Sequence, residues 1–482
     1  MENKKSDFSQ GSMAKAIIRM AVPMIFAQLI QLLYNIVDRV YMGRLPVDGR
    51  QALTAIGICL PIVSIFTGFA NLCGVGGGPL CSMARGRGDT KDAEHIMGNS
   101  FFMLLIIGVL LTVVGLIIKK PMLYLFGASD ATYSFANEYL TIYLIGTVFV
   151  MISIGMNPFI NLQGFPKIGM MTVALGAIIN LVLDPIFIFA LKMGIRGNAI
   201  STIFAQFCSA VWVVLFLTGK KGVLRLKVAN FKLKLKTVTK ILSLGVSGFM
   251  LAFTTSLVQI LCNKTLQTLG GDLYVTAMTV INAIREFGFV AVHGLTNGAG
   301  PVLSFNYGAR KYDRLRSGIR VVTLLALTMS LISWALINLF PTFFIKIFNN
   351  EAELLEVAVP AFKIYFAAFF MMSLQLSGQA VSLSMGRAKT SIFFSLLRKA
   401  IIVAPLVLLL PRIESLGING VFWSEPISDI VGGLACYTTM LIVVYFPLGK
   451  LNEGDPPEAI NGFYKRRRME KKAKKLESIQ QD

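Results

Sequence analysis

The sequence predicts an all-α integral membrane protein with twelve transmembrane helices in two pseudo-symmetric six-helix bundles. Three observations lead to this fold class: an apolar composition, apolar runs of membrane-spanning length, and a repeat that relates the two halves of the chain. Of the 482 residues, 55% are hydrophobic and only 15% are charged, and the mean hydropathy is +0.68. Soluble proteins carry about 25% charged residues, so this composition indicates a polytopic membrane protein.

Twelve apolar runs are long enough to cross a bilayer, which takes about 20 residues each. The predicted spans are 16–42, 54–78, 94–118, 136–158, 168–192, 197–218, 238–262, 274–298, 316–340, 358–382, 391–411 and 417–446. No signal-peptide cleavage pattern precedes the first span, which we expect to be an internal anchor. The predicted organisation is a cytoplasmic N-terminus (1–15), a first bundle (16–218), a basic linker (219–237), a second bundle (238–446) and a basic tail (447–482).

The formal net charge of +21 is concentrated in loops that twelve crossings would place on one side of the membrane. The linker 219–237 is rich in lysine, and the tail is basic from Lys465 to Lys475. The positive-inside rule therefore predicts that both termini are cytoplasmic, and the tail is expected to contact anionic lipid head groups. Because the charge has this explanation, we predict no nucleic acid partner.

An offset of 222 residues relates the two halves, and it becomes 223 near the end of each half. The matched pairs are Thr54-Ala55 with Thr276-Ala277, Pro79 with Pro301, Gly164 with Gly386, and Gly194 with Gly417. Six predicted helices lie on each side of the linker, so the two repeats have the same orientation in the membrane. Two parallel bundles with a cavity between them are the expected architecture of a transporter.

One polar group stands out within the apolar run 168–192. Asn180 and Asp184 are four residues apart and share a helix face, and Pro185 frees the carbonyl of Leu181 beside them. A carboxylate at membrane depth usually faces a cavity or a partner. We interpret this group as a cation or proton site, and the alternative is a polar packing pair between helices.

Several motifs resemble those of the multidrug and toxic compound extrusion (MATE) family over about residues 10–450. They are Tyr34-Asn-Ile-Val-Asp-Arg-Val-Tyr-Met-Gly-Arg-Leu45, Asn157-Pro158, Gln163-Gly-Phe-Pro-Lys167, Asn180-Leu-Val-Leu-Asp-Pro185 and Pro301-Val-Leu-Ser-Phe-Asn-Tyr-Gly-Ala-Arg310. The resemblance implies a twelve-helix antiporter that exports organic compounds in exchange for Na⁺ or H⁺. It does not identify the substrate.

The resemblance also implies an ion-coupling site in the first bundle, to which we assign Asp38, Asn157, Asn180, Asp184 and Thr202. Such carboxylate, amide and hydroxyl oxygens suit a hard cation, so Asp38, Asn180, Asp184 and Thr202 are candidate Na⁺ ligands. Protonation of a desolvated Asp38 is the competing chemistry. The alternative for Asp38 is a solvated position at the membrane boundary. The mates of Asn157, Asn180 and Asp184 in the second half are Gln379, Ile402 and Leu406, so coupling is predicted in the first bundle alone.

Polar residues in three helices are candidates for the wall of a central substrate cavity: Gln31, Tyr34 and Asn35 in the first, Arg285, Glu286 and His293 in the eighth, and Glu425 and Asp429 in the twelfth. Salt bridges between helices are the alternative for the charged members. An unpaired Arg285 facing the cavity would disfavour cationic substrates.

The predicted function is secondary active antiport that exports amphiphilic, often cationic, organic compounds across the plasma membrane by alternating access. The predicted partners are a small organic substrate and membrane lipid, and the predicted state is a monomer. No cofactor, ATP or catalytic role is expected, because Gly74–Pro79 lacks a following Gly-Lys-Ser/Thr and the chain has only two histidines. The alternative function is a flippase for lipid-linked precursors of the same superfamily.

Overall fold

The computed structural model describes residues 7–43, 49–348, 351–456 and 460, and these residues form helices and loops with no β-strand. In lipid each backbone polar group must be satisfied inside its own segment, which is why apolar runs of this length fold as helices. The membrane helices α1 to α12 are Met13–Gly43, Gly49–Gly86, Thr90–Leu125, Asp130–Ile145 with Thr147–Asn161 (α4), Pro166–Ala190, Gly194–Thr218, the two parts of Leu235–Gly308 (α7 and α8), Tyr312–Leu339, Ala352–Tyr365 with Met372–Ser384 (α10), Ala388–Arg412 and Asn419–Leu448.

The count of twelve depends on the longest element, Leu235–Gly308, which has 74 residues. At about 1.5 Å per residue this helix would be several times longer than a bilayer is thick, so it contains two crossings. The break is at Gly271, whose φ of 68° is outside the helical region and is one that glycine adopts without strain. Within the described residues, these two crossings, eight single helices and two bent helix pairs add up to twelve membrane spans.

Two spans that the sequence predicts as single helices are bent. The span predicted at 136–158 turns by 57° at Gly146, and the one predicted at 358–382 turns by 43° between Tyr365 and Phe369. The absence of a side chain at Gly146 leaves room for Ile203, which packs against its backbone. Hydropathy is averaged along a segment, so it does not detect a change of direction inside an apolar run. Between the bundles, α6 ends at Thr218 and α7 begins at Leu235, three residues before the predicted start.

Each bundle has its own hydrophobic core. The first is formed mainly by side chains of α2 to α6, together with Met42 of α1 and Ile241 of α7, and the second mainly by side chains of α7 to α12. The beginning of α1 is an exception, because Met13, Ile17 and Met20 belong to the core of the second bundle. Helix α1 therefore connects the two bundles physically.

The bundles meet along a seam that we define by two glycines of α2, Gly76 and Gly86, and two of α8, Gly298 and Gly308. A Cβ atom on Gly86 would overlap the carbonyl oxygen of Phe305, and one on Gly308 would overlap that of Met83. Such close backbone approach is available only to small residues. The seam lies next to the basic loops after α2 and α8, so it closes the side that the charge pattern predicts to be cytoplasmic.

Replacing Gly86 by Leu should force the seam apart. Overpacking of this kind costs about 1–3 kcal/mol, which we expect as a lower thermal unfolding midpoint of the protein in detergent. Gly57→Leu is the matched control on the same helix, because a Cβ at Gly57 meets no atom within 4 Å. Equal midpoints for the two variants would contradict the close packing at the seam.

Candidate functional site

The first bundle contains a group of oxygen-bearing side chains that we call the carboxylate site. It consists of Asp38 on α1, Asn180 and Asp184 on α5, and Asn198, Ser201 and Thr202 on α6. Asn180 and Asp184 are 2% and 1% exposed. The spacing of four residues on α5 places both side chains on the face that α6 covers, as the sequence predicts.

Hydrogen bonds join the three helices at this site. The Ser201 hydroxyl donates to Asp184, and the Asn198 amide donates to Asp38. In the amide orientation that satisfies both neighbours, the Asn180 nitrogen lies 2.7 Å from Oδ2 of Asp184. The Asn180 oxygen then lies 3.3 Å from the Thr202 hydroxyl. The site is therefore built from neutral donors around two carboxyl groups.

The two carboxyl groups lie close enough to interact electrostatically. Among the described residues, Asp184 forms no salt bridge with Lys, Arg or His. Asp184 is buried and Asp38 is half-buried, and two adjacent carboxylates repel each other, so a proton or a cation held between their oxygens stabilises the pair. The buried Oδ1 of Asn198 also has no hydrogen-bond partner among the described residues and offers a further oxygen ligand.

Tyr34 lies beside the carboxylate site rather than in a separate cavity. It is near Thr202 and in the electrostatic environment of both Asp38 and Asp184. Gln31 and Asn35, which the sequence groups with Tyr34, are exposed and form a hydrogen bond of 3.3 Å with each other. Asn35 projects about 100° away from Tyr34, and Gln31, although one turn before Tyr34, bonds to Asn35 on the exposed side of α1.

Asn157 is not part of the carboxylate site, contrary to the prediction from the sequence. Its amide donates to the carbonyl of Gly169 at 3.2 Å. Gly169 is eleven residues before Asn180 on α5, which corresponds to about 16 Å along the helix. The sequence places Asn157 next to a proline but cannot show at which depth of the neighbouring helix it packs.

The structure adds Asn198 and Ser201, which sequence analysis does not assign to the site. The signal was present in Asn198-Ala-Ile-Ser-Thr202, where polar residues recur at helical spacing within an apolar segment. Small polar residues are common packing groups in membrane helices, so the pattern alone does not separate a ligand from a packing contact.

The second bundle contains a buried charged cluster formed by Arg398 and Lys399 of α11 and by Glu425 and Asp429 of α12. The Nη1 atom of Arg398 lies 2.6 Å from Oδ1 of Asp429 and 3.6 Å from Oε2 of Glu425, and Lys399 donates to Glu425. All four side chains are at most 7% exposed. A π-helical segment, Leu397–Val403, carries both basic residues.

Glu425 and Asp429 therefore form ion pairs inside the second bundle, which is the alternative that the sequence analysis gives for them. The physical reason is that two buried carboxylates one turn apart need nearby positive charge. The sequence interpretation did not use Arg398 and Lys399, although two adjacent basic residues inside the predicted span 391–411 are a signal of a functional or paired site.

The three candidate residues on α8 have different environments. The Arg285 side chain is 8% exposed and its guanidinium lies 5.7 Å from the centre of the Phe289 ring. Glu286 is exposed, and His293 is half-buried with its ring edge-on to Phe289 at 6.0 Å. Only Arg285 faces the interior of the second bundle.

A narrow cleft with about 20 Å³ of free space, open on one side, lies within the second bundle between α7, α8, α10, α11 and α12. Its wall includes Gln259, Asn282, Arg285 and Tyr365, with Lys399 and Glu425 of the charged cluster at its base. Arg285 and Glu425, which the sequence analysis assigns to one central cavity, line the same cleft. This cleft lies inside the second bundle rather than between the two bundles.

Comparisons with known proteins agree with this architecture. The sequence profile of the MatE family matches residues 23–186 and 249–409, one segment in each bundle. The multidrug export protein MepA of Staphylococcus haemolyticus (strain JCSC1435) is 23% identical over 440 residues, which are 91% of this chain and 94% of that protein. MepA of Staphylococcus aureus (strain NCTC 8325 / PS 47) is 21% identical over 455 residues, covering 94% of this chain and 98% of that protein.

A solved structure described as the outward-facing conformation of a multidrug resistance MATE family transporter superposes with a TM-score of 0.87. The superposition has 22% sequence identity and covers 93% of this chain and 99% of that chain, so it shows the same fold. The family profile covers most of both repeats, and the fold, the twelve helices and the pseudo-symmetry agree with it. The chain therefore belongs to the MatE family and is a multi-pass membrane transporter, not an enzyme.

Proposed function

We propose that this protein is a secondary active antiporter that exports small organic compounds across the plasma membrane in exchange for Na⁺ or H⁺. The observation that carries the proposal is the carboxylate site, where the half-buried Asp38 and the buried Asp184 interact and a bound proton or cation would relieve their repulsion. The names of the relatives, which are multidrug exporters, support organic compounds as the cargo. They give no support to the alternative of a flippase for lipid-linked precursors.

Helix α1 supplies a physical route from ion binding to the bundles. Asp38 is in its outer part, while its inner part packs on α8 of the second bundle, where Gly294 lies against Ile25 and Gly298 against Ala21. Ion binding removes the repulsion between Asp38 and Asp184 and draws α1 toward α5. Because α1 also forms part of the seam, the bound and empty states of the site favour different arrangements of the two bundles.

The proposed antiport can be tested with purified protein in liposomes. Two probes with the same fluorophore and opposite charge, dansylglycine and dansylcadaverine, would be loaded inside, and a Na⁺ or a H⁺ gradient imposed separately. We expect at least one probe to leave faster under one inward ion gradient than in protein-free liposomes. Efflux at the protein-free rate under both gradients, from protein shown to be folded, would argue against the proposal.

Asn198 should tune the affinity of the site without being required for it. Replacing Asn198 by Ala removes the amide that holds Asp38, and loss of such a supporting hydrogen bond typically weakens ion affinity by about tenfold. We expect the ion concentration for half-maximal efflux to rise by about that factor. Ser209→Ala is the matched control on α6, because Ser209 bonds to the Thr172 carbonyl away from the site. Identical ion dependence of the two variants would exclude a role for Asn198.

A further inference from the structure

Arg285 is a buried guanidinium without an ion-pair partner among the described residues. It is 8% exposed, and the described residues contain no salt bridge or hydrogen bond to it within the usual distance limits. Its contact with Phe289 covers one face of the guanidinium. Arginine stays charged in proteins, so its N–H donors are left with unmet hydrogen-bonding capacity.

Among the described residues, no acid forms a direct ion pair with Arg285, although Glu425, Glu286 and Asp429 lie in its electrostatic environment. Arg398 and Lys399 already pair with Glu425 and Asp429, and these two bases and two acids cancel one another. Glu286 is the next residue on α8, but adjacent residues on a helix project in directions about 100° apart, and Glu286 is exposed. Among the residues that line the cleft, Arg285 and Lys399 are basic and only Glu425 is acidic, so the lining itself has one surplus positive charge.

Neutral hydrogen-bonding groups surround this charge on the wall of the cleft. Asn282 is one turn before Arg285 on α8, and its Oδ1 accepts a hydrogen bond of 3.4 Å from the Tyr365 hydroxyl. Thr255 and Gln259 of α7 are on the facing wall. A planar guanidinium flanked by amide and hydroxyl donors matches the geometry of a carboxylate, which accepts two parallel hydrogen bonds from Arg.

The position of the cleft also corresponds to that of the carboxylate site in the internal repeat. Glu425 is the mate of Thr202, and Gln259 is adjacent to Ile260, the mate of Asp38. The first half thus has two carboxyl groups here, whereas the cleft adds Arg285 and Lys399 from positions whose mates, Val63 and Ala177, lie outside the carboxylate site. The first suits a cation and the second an anion.

We propose that the cleft of the second bundle binds a carboxylate or a similar small anionic group of the exported compound, with Arg285 as its direct contact. This inference rests on the proposed export function and specifies its substrate class: an amphiphile with an anionic head group rather than a cationic one. A cationic head group in the cleft faces the charge of Arg285 and is disfavoured.

Equilibrium binding of dansylglycine and dansylcadaverine to the full-length protein in lipid nanodiscs tests this proposal without any ion gradient. After subtraction of the signal from empty nanodiscs, we expect native protein to bind dansylglycine at least tenfold more tightly than dansylcadaverine. Arg285→Gln should weaken dansylglycine binding at least tenfold, and Arg285→Lys, which keeps the charge but loses the planar fork, should weaken it less. Arg412→Gln, at an exposed position near the end of α11, is the control and should stay within twofold of native.

Unchanged dansylglycine binding in folded Arg285→Gln, or tighter binding of dansylcadaverine by native protein, would overturn the proposal. If Arg285→Gln does not fold, Arg285→Lys decides the question, because an undiminished affinity in that variant would exclude bidentate contact. The binding assay and the gradient assay are independent. Loss of ion-coupled efflux with intact anion binding would contradict the proposed antiport only, and the reverse result would contradict the anion site only.

Discussion

Asp184→Asn should abolish ion-driven export while leaving the protein folded. The amide has nearly the same shape as the carboxyl group and can still bond to Ser201, but it can neither lose a proton nor neutralise a cation. Without ion binding at the site, an ion gradient can no longer change the relative free energies of the two arrangements of the bundles. Coupling free energies of about 1–3 kcal/mol are typical of linked sites, so we expect the gradient-dependent part of efflux to fall by up to about 100-fold.

Asp38→Asn should give the same result, because the two carboxyl groups form one site. For the same reason the double variant should be no worse than either single variant, since residues in direct contact do not act additively. Asp272→Asn is the matched control, as Asp272 is exposed and bonds to Gln267 in the connection between α7 and α8. Full gradient-driven efflux in Asp184→Asn would remove that residue from the coupling mechanism.

Asp429→Asn should produce the largest loss of stability of any single change in the second bundle. It leaves the buried Arg398 with only Oε2 of Glu425, at 3.6 Å, while the other oxygen of Glu425 accepts from Lys399. Removing one partner of a buried ion pair costs about 3–5 kcal/mol because the remaining charge is uncompensated. We expect a correspondingly lower thermal unfolding midpoint, measured by size-exclusion chromatography of heated, detergent-solubilised protein.

A double replacement separates the ion pair from simple loss of packing. Arg398→Met combined with Asp429→Leu removes both charges, and such apolar replacement of a buried pair is often close to neutral. The double variant should therefore be more stable than Asp429→Asn alone. Arg196→Gln breaks the exposed pair with Glu138 and should cost less than about 1 kcal/mol. If Asp429→Asn and Arg196→Gln had equal midpoints, the charged cluster would not be the stabilising contact described above.

The fold was accessible from the sequence because its determinants are local or periodic. Apolar runs of bilayer length set the number of helices, and the offset of 222 residues set the pseudo-symmetry, both of which agree with the structure. The bends at Gly146 and after Tyr365 were not accessible. They depend on packing, such as that of Ile203 against Gly146, and apolar composition is the same in a straight and a bent helix.

The carboxylate site was partly accessible for a similar reason. The spacing of Asn180 and Asp184 fixes a shared face, whereas the grouping of Asp38 and Thr202 with them came from the resemblance to a known family. Asn157 shows the limit of sequence-based assignment. The position of a residue along its own helix does not show which part of a neighbouring helix it contacts. The partners of Glu425 and Asp429 depend on which helix packs against α12, and only the tertiary structure shows that it is α11.

The basic tail from Lys465 to Lys475 lies outside the described residues, so its predicted contact with lipid head groups stays a prediction, as do the cytoplasmic location of both termini and the monomeric state. The orientation has a direct consequence for the seam. If the basic loops are cytoplasmic, the structure is closed toward the cytoplasm, and the carboxylate site would take up its ion from the outside.

The most direct test of the central proposal is whether Asp38 and Asp184 hold a proton or a cation, and it needs no substrate. Infrared difference spectroscopy of the protein in lipid reports the C=O band of protonated carboxyl groups, and the pH and the Na⁺ concentration would be varied separately. We expect a band that appears as pH falls and is absent from Asp38→Asn/Asp184→Asn, and its loss on adding Na⁺ at fixed pH would identify Na⁺ as a competing ion. Identical pH and Na⁺ difference spectra for the native protein and this double variant would contradict an ion site at these two residues.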